Sequence, residues 1–532
     1  MKKNWIVSLC TGMAFAAAAQ GTDLWKTPEK TWTLDQYASW QKDHDGNTMM
    51  KVEIPSGIKL ANHTYGCSFK LDLTPYRGKM ITLSAEIKGD DIVYSKVEPH
   101  YCPKILMSYR SKGQQFWTAS GNISTPTFDW RKFEVNLMVT DFIKDFEITV
   151  GLQATTGTLW VRKVKLLEMN PYPAPISLPE GFRCEYSDAI LNAPILRGVA
   201  APFNSQNPEK DIADLAAWNV NAVRYWVEPE KKLRNHDIRC DQAFERELNR
   251  LDKLLPFFAK YKIRVIVVLA TPGGMYQDPI ILGTAGKLAE NENPASDVLH
   301  RIFMEDFWLN KFLATWGKIA RRYQHNPTVW GYDLLNEPVQ VTSAKVDYLK
   351  AQYLAAKEIR TVDPEKPIIV SANDWSSPDA FSYLKPLPLK NIFYQVHMYV
   401  PGSYTHQGVG EGLKNMLAGK ILSYPGKIDG IDYNRDVLRD VLQPVRQFQK
   451  KYGAKIYAGE FSVFRTSPGG AIYLDDVCSI FEDYGWSWTY HAYREWDKWS
   501  LEHSSTGLDD MEPKPVTDRL TVMKKYYAKN IR

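Results

Sequence analysis

Long apolar runs are missing from this chain beyond its first twenty residues, so nothing after them is suited to span a membrane as a helix. Cysteine is scarce: six in 532 residues. Past Cys10 they fall at Cys67, Cys102, Cys184, Cys240 and Cys478, with no spacing that resembles a metal site. An odd set cannot pair completely within one chain. Cys67 and Cys102 share a region and are candidates for pairing, but buried free thiols are the simpler reading and no essential disulfide is expected. Charge of one sign is also lacking, with 66 basic against 61 acidic residues, which gives no polyelectrolyte surface for nucleic acid. Pro272-Gly273-Gly274 is the nearest approach to a glycine-rich loop, and it lacks the pattern of a phosphate cradle. No metal and no cofactor are expected.

Aromatic residues are plentiful, 13% of the chain with 17 Trp and 29 Tyr. Flat rings suit sugar faces, although a large aromatic core would have the same composition. At the amino terminus Lys2 and Lys3 precede a mostly apolar stretch from Ile6 to Ala19 that ends in Ala16, Ala17, Ala18 and Ala19. Residues 1–19 read as a secretory signal peptide, and a secreted protein is expected.

The length exceeds what one hydrophobic core usually supports. From 22 to 169 the pattern alternates with period two, as in Ile81, Leu83, Ala85, Ile87; Phe133, Val135, Leu137, Val139; and Phe146, Ile148, Val150, Leu152. That predicts an all-β sandwich. Residues 170–181 hold Pro171, Pro173, Pro175 and Pro179 and read as a semi-rigid linker. Residues 182–532 then alternate short apolar strands with long helical stretches. Eight strands are predicted, at 195–201, 222–227, 264–270, 329–335, 367–373, 392–399, 455–461 and 485–492, with helix stripes at Phe244, Leu248, Leu251, Leu255, Phe258 and at Phe307, Phe312, Trp316, Ile319. Eight βα repeats close into a (β/α)8 TIM barrel, so the fold class is α/β.

Active sites of such barrels lie at the carboxyl ends of the strands. The fourth strand ends in Asn336-Glu337-Pro338 and the seventh in Gly459-Glu460-Phe461. Two carboxylates over one cleft match the needs of glycoside hydrolysis, one protonated to release the leaving oxygen and one ionised to attack the anomeric carbon. Arg224, among Val223, Tyr225, Trp226 and Val227, should not be buried unpaired, and Glu460 is its expected partner. His397 and Tyr399 share a face by period two. Trp488 is the expected platform beneath the sugar, with Trp226, Trp375, Tyr404 and Trp496 as further cleft candidates. Arg494-Glu495 reads as an ordinary local pair.

The run Trp330-Gly331-Tyr332-Asp333-Leu334-Leu335-Asn336-Glu337-Pro338 resembles the acid/base motif of glycoside hydrolase family 5, the cellulase and mannanase family. The resemblance implies that Glu337 is the acid/base and Glu460 the nucleophile of a retaining, endo-acting enzyme. It further implies that Arg224, Asn336, His397, Tyr399 and Trp488 bind substrate or hold the carboxylates. One position departs from the pattern: Ala270 stands where the family usually has a histidine at the end of the third strand, which points to altered substrate handling. The sandwich is similar to jelly-roll carbohydrate-binding modules through Leu73-Thr74-Pro75-Tyr76-Arg77-Gly78, Thr127-Phe128-Asp129-Trp130 and Gly151-Leu152-Gln153, with Tyr101, Tyr109, Phe116 and Trp117 either lining a groove or packing a core. A sandwich that merely braces the barrel is the alternative. The expected partner is a β-linked polysaccharide or oligosaccharide, β-glucan ahead of mannan, acted on by a monomer. A non-catalytic glycan-binding protein and a transglycosylase are the competing readings.

Overall fold

A computed structural model of the chain describes residues 21–531 apart from 77–79, 95–100, 112–113, 121–124, 140–142, 170–177, 229–236, 271, 274–300, 341–345, 410–411, 413–414 and 417. The leader at 1–19 and most of the linker at 170–181 lie outside these described residues.

The first region is a pair of antiparallel sheets. One has the strand order Ala38–Lys42, Thr48–Ile54, Thr156–Met169, Met80–Val93, Phe128–Met138, with Gly21–Asp23 also paired to Thr156–Met169; the other runs Thr33–Leu34, Thr64–Lys70, Ile143–Gln153, Pro103–Ser111, Gln114–Ala119. The alternating rows meet between the sheets: Ile81, Leu83, Ile87, Val135, Ile148, Val150 and Leu152 belong to one buried cluster. Inward residues being apolar, the odd-numbered partners Thr149 and Gly151 point outward, where they pair in register with Ser68 and Gly66. The glycines are required by closeness: a β-carbon on Gly151 would sit 1.9 Å from the Tyr65 carbonyl oxygen. Register puts Trp117 opposite Ser108 on this outer face, and it is 66% exposed. Tyr109 instead packs against the core cluster. Cys67 and Cys102 are buried, and neither they nor Cys184 and Cys478 form a disulfide among the described residues.

The second region is a closed parallel barrel of β1 (Arg197–Ala201), β2 (Ala222–Val227), β3 (Arg264–Leu269), β4 (Val329–Asp333), β5 (Ile368–Ser371), β6 (Ile392–Met398), β7 (Lys455–Phe461) and β8 (Ser487–His491). Closure is direct, with Arg197 of β1 in register with Trp488 of β8. All eight predicted strands form. Their outward residues, such as Val223, Tyr225 and Val227, join the cluster that includes Leu248 and Leu251 of the helix Asp237–Lys260. Ala222, Ile266, Ile369, Phe393 and Tyr457 form a separate apolar plug with Leu196. It leaves polar side chains to the opposite, carboxyl end. One helix stripe is corrected by a residue: Phe307 is exposed and Trp308 buried, because 308, 312, 316 and 319 follow the helical repeat.

Candidate active site

Arg224 of β2 is fully buried, and its planar guanidinium meets three acceptors, from β4, from the segment just beyond it and from β7. Nε donates to Asp333 Oδ2 at 2.8 Å, Nη1 to Glu460 Oε1 at 2.6 Å and Nη2 to Asn336 Oδ1 at 2.7 Å. The expected Glu460 partnership is present. Sequence reasoning does not single out Asp333, although an acid inside a buried apolar strand needs a partner as much as an arginine does. Asp333 is also held by Gln395, whose amide nitrogen lies 3.2 Å from Oδ1.

The placement of Glu460 follows from local backbone. The β6–β7 register shifts between Val396 and His397, so that His397 stands opposite Glu460, and such irregularities re-aim side chains. Tyr399, just beyond β6, donates its hydroxyl proton to Glu460 Oε2 at 3.0 Å. Burial alone would raise the Glu460 carboxyl, but His397, His491 and Arg224 together with the Tyr399 hydrogen bond outweigh it and hold this group well below the ordinary carboxylate range. Burial and the two carboxylates push the Tyr399 hydroxyl far up, so it keeps its proton.

Glu337 has a different setting. It follows β4 with φ of 45°, a left-handed conformation uncommon for a side-chain-bearing residue and concentrated at functional sites. Its Oε1 lies 2.8 Å from His397 Nδ1, and its side chain is 27% exposed against 6% for Glu460. One oxygen of each glutamate and a ring nitrogen of His397 all lie within 4.8 Å of one another. This cluster does not suit a metal ion. Glu337 Oε1 is taken by His397, both Glu460 oxygens accept hydrogen bonds, and the Arg224 cation sits alongside. What the arrangement can do is hold one carboxylate ionised in a dry layer and present a second at the mouth, the asymmetry that acid–base and nucleophilic work on a glycosidic bond requires.

The sequence profile of the cellulases, glycosyl hydrolase family 5, matches residues 189–500, which contain every residue just described. The chain belongs to this family. It is 25% identical over 313 residues to Endoglucanase C of Acetivibrio thermocellus, covering 54% of this chain and 85% of that protein. It is 24% identical over 255 residues to Cellodextrinase A of Ruminococcus flavefaciens, covering 48% and 68%. Among solved structures, Cel5A of Thermotoga maritima in complex with cellobiose aligns with 62% of this chain and 97% of its own, at 19% identity and a TM-score of 0.46.

This family 5 glycosyl hydrolase departs from the sequence-based expectations at three aromatic or charged positions. Trp488 is not a sugar platform. It is fully buried on the outward side of β8, packed on Phe461 and Tyr527, with its ring nitrogen 3.2 Å from Glu482. Period two therefore turns His491, not Trp488, toward the centre. Tyr404 is likewise buried, against Tyr424 and Tyr473. Glu495 does not pair with Arg494, which bridges Asp211, Asp214 and Glu502 instead; Glu495 lies 3.0 Å from His491. Trp375 and Trp496 are exposed, and Trp496 helps line a cavity of about 440 Å³ with Lys210, Arg494 and Glu495. Trp226 stacks on the His491 ring at 5.2 Å. Ala270 is buried just past the end of β3.

Removing the guanidinium takes from two buried carboxylates the cation they share, so Arg224→Met is expected to cost about 3–5 kcal/mol of stability near neutral pH. The sign of its pH dependence follows from Glu460. With the group lowered in the folded protein, its ionisation contributes stability above the ordinary value of 4.5 that is lost as pH falls toward the folded value. Without Arg224 the unpaired carboxylates take up protons more readily, and the deficit narrows on acidification. Urea midpoints of both proteins at about pH 7 and about pH 4.5 measure this; a deficit that widens in acid contradicts the electrostatic account.

Proposed function

We propose that this enzyme hydrolyses a β-linked polysaccharide, β-glucan ahead of mannan, as a retaining endo-glycanase in which Glu460 is the nucleophile and Glu337 the acid/base. The observation that carries the reading is the pair of glutamates with oxygens inside 4.8 Å and contrasting settings. So close an approach of single oxygens favours direct attack, for which carboxyl groups lie about 5–5.5 Å apart, over a mechanism with an intervening water, which demands about 6.5–9.5 Å. Glu460, held ionised by Arg224 and Tyr399, attacks the anomeric carbon while Glu337 protonates the departing oxygen. A covalent glycosyl ester forms at Glu460. Its formation removes the Glu460 charge, and Glu337 then takes a proton from the water that cleaves the ester. Asn336, fixed by Arg224, presents its amide nitrogen at the end of β4 for the sugar hydroxyls. The names of the relatives, an endoglucanase and a cellodextrinase, support glucan as the first substrate to try. The apolar stretch at 6–19 behind two lysines supports export from the cell.

The sandwich is proposed to bind the same polymer. Its outer face has the exposed Trp117 beside Ser108, with Thr149 and Ser68 paired on the same face, a ring and hydroxyls of the kind that meet a sugar.

Variants separate the two glutamates. Glu337→Gln is expected to lose roughly 10²–10⁴-fold in turnover of polysaccharide, yet to release an activated aryl leaving group at close to the original rate, because that group needs little acid assistance. Glu460→Gln loses both. Equal loss of aryl release in the two variants contradicts the assignment. Proton NMR of the first products is expected to show the β anomer before mutarotation; early accumulation of the α anomer excludes Glu460 as nucleophile. For the sandwich, Trp117→Ala in the full chain is expected to weaken retention on insoluble glucan while leaving aryl glycoside turnover unaltered. Unchanged retention assigns that domain to bracing the barrel.

A further inference from the structure

Beside the proposed nucleophile lies a histidine whose part so far is only the charge it brings near Glu460. His491 ends β8, and its Nδ1 is 3.0 Å from the Tyr399 hydroxyl oxygen, which is itself 3.0 Å from Glu460 Oε2. A tyrosine hydroxyl has one proton. With that proton donated to Glu460, the oxygen can only accept from His491, so Nδ1 carries a hydrogen. The other nitrogen, Nε2, stands 3.0 Å from Glu495 Oε2, an ion-pair contact off the line of a straight hydrogen bond. An ionised carboxylate on that side favours a proton on Nε2 as well, and a ring protonated on both nitrogens is a cation.

The charges of the buried layer call for such a cation. Asp333 and Glu460 are two carboxylates against the single guanidinium of Arg224. The groups facing His491 are Tyr399 and His406 beyond β6, Glu460 of β7, Glu337 beyond β4 and Glu495 of its own loop, with the neutral rings of Trp226 and Trp499 fixing the imidazole at 5.2 and 6.3 Å. Burial opposes charge on His491, but Glu460, Glu495 and Glu337 outweigh it and raise its pKa. His406 goes the other way, held down to about 4 by burial and by His491 itself, so it is neutral and does not compete.

We propose that His491 and Glu495 form a positioning dyad that acts on Glu460 through the Tyr399 hydroxyl, coupling the readiness of that carboxylate to the protonation of the His491 ring. The proposal rests on the reading of Glu460 as nucleophile. When the imidazolium loses its Nδ1 proton, Nδ1 becomes an acceptor and competes with Glu460 for the one tyrosine proton. The nucleophile then loses a donor and its alignment. Because the histidine pKa is raised, the productive arrangement is present at lower pH and is lost as pH rises through that pKa.

The test uses the full chain carrying Glu337→Gln and an activated aryl β-cellobioside, so that titration of Glu337 drops out and the burst of aryl release reports attack by Glu460 alone. The burst rate is expected to fall on an alkaline limb. Adding Glu495→Gln should move that limb to lower pH by about one unit, the shift typical of losing an adjacent opposite charge. Adding His491→Phe should abolish the limb and lower the rate roughly 10–100-fold, the worth of a hydrogen bond to a charged group. In a Tyr399→Phe background the same His491 change should cost less than about threefold, since the relay is already broken. His491→Asn keeps a donor near Nδ1 without a titrating ring; it should recover part of the rate with no limb, and it replaces the Phe variant if thermal melting shows that one unfolded. A limb that stays in place in Glu495→Gln, or a His491 effect undiminished without the Tyr399 hydroxyl, overturns the dyad. Retained aryl release in Glu460→Gln instead sinks the nucleophile assignment, and is read independently of where the limb lies.

Discussion

The contacts of one buried guanidinium govern the upper barrel. Arg224 has no water to solvate it, so its charge is tolerable only if carboxylates and hydrogen-bond acceptors are delivered to it from several directions. They come from β4 and β7, strands far apart in sequence that only barrel closure brings to one centre. Close packing at that centre constrains the backbone as well. A β-carbon on Gly459 would meet the Gln395 amide oxygen at 1.8 Å, and Gln395 is the residue that ties Asp333 to Ser371. The apolar plug beneath, with Ile266, Ile369 and Phe393, gives these charges a dry floor on which each pair interacts strongly.

The two glutamates differ because the barrel gives them different depths. Glu460 lies within the charged layer and answers to Arg224, Tyr399 and the histidines around it. Glu337 sits a step higher on a left-handed turn, partly open, with His397 as its one close partner among the described residues. A group that must exchange protons with solvent and leaving group needs that access, whereas a group that must remain charged is served by enclosure. Depth thus suits the division of labour proposed for the two carboxylates.

Much of this was legible in the residues. Period-two rows located the sandwich core, eight apolar strands announced the barrel, and a lone arginine in a buried strand pointed to an acid partner. Those inferences rest on charge and hydrophobicity, which burial forces to agree with position. The eighth strand was not legible for the opposite reason. Trp486, Trp488 and Tyr490 on one side and Ser487, Thr489 and His491 on the other are both plausible linings for a sugar site, and parity in a strand has no label until the register is known. Aromatic bulk drew attention to Trp488, while the side turned inward was the smaller, polar one. Glu495 was hidden similarly, since adjacency to Arg494 suggested a pair and the backbone sent the two side chains to different partners.

On the proposed assignment of Glu460 as nucleophile, the donors around it also bear on which of its oxygens would react. Lowering the basicity of a carboxylate keeps it ionised but blunts it as a nucleophile, so a site that only tightened its grip would work against itself. Here the grip is uneven. Oε1 takes a 2.6 Å charge-assisted bond from Arg224, while Oε2 takes a 3.0 Å bond from a neutral hydroxyl. If Glu460 is the nucleophile, as proposed, the weaker bond is the one that can lengthen as electron density moves toward the anomeric carbon, and Oε2 is then the attacking atom with Oε1 as the hinge about which the carboxylate is aimed. Tyr399 then moderates the attacking oxygen, and its own hydrogen bond from His491 decides how firmly. The Nδ1 atoms of His397 and His491 stand farther from Oε2, at 3.8 and 3.9 Å, so the tyrosine hydroxyl remains its nearest donor and orients the carboxylate without a short bond from a cation.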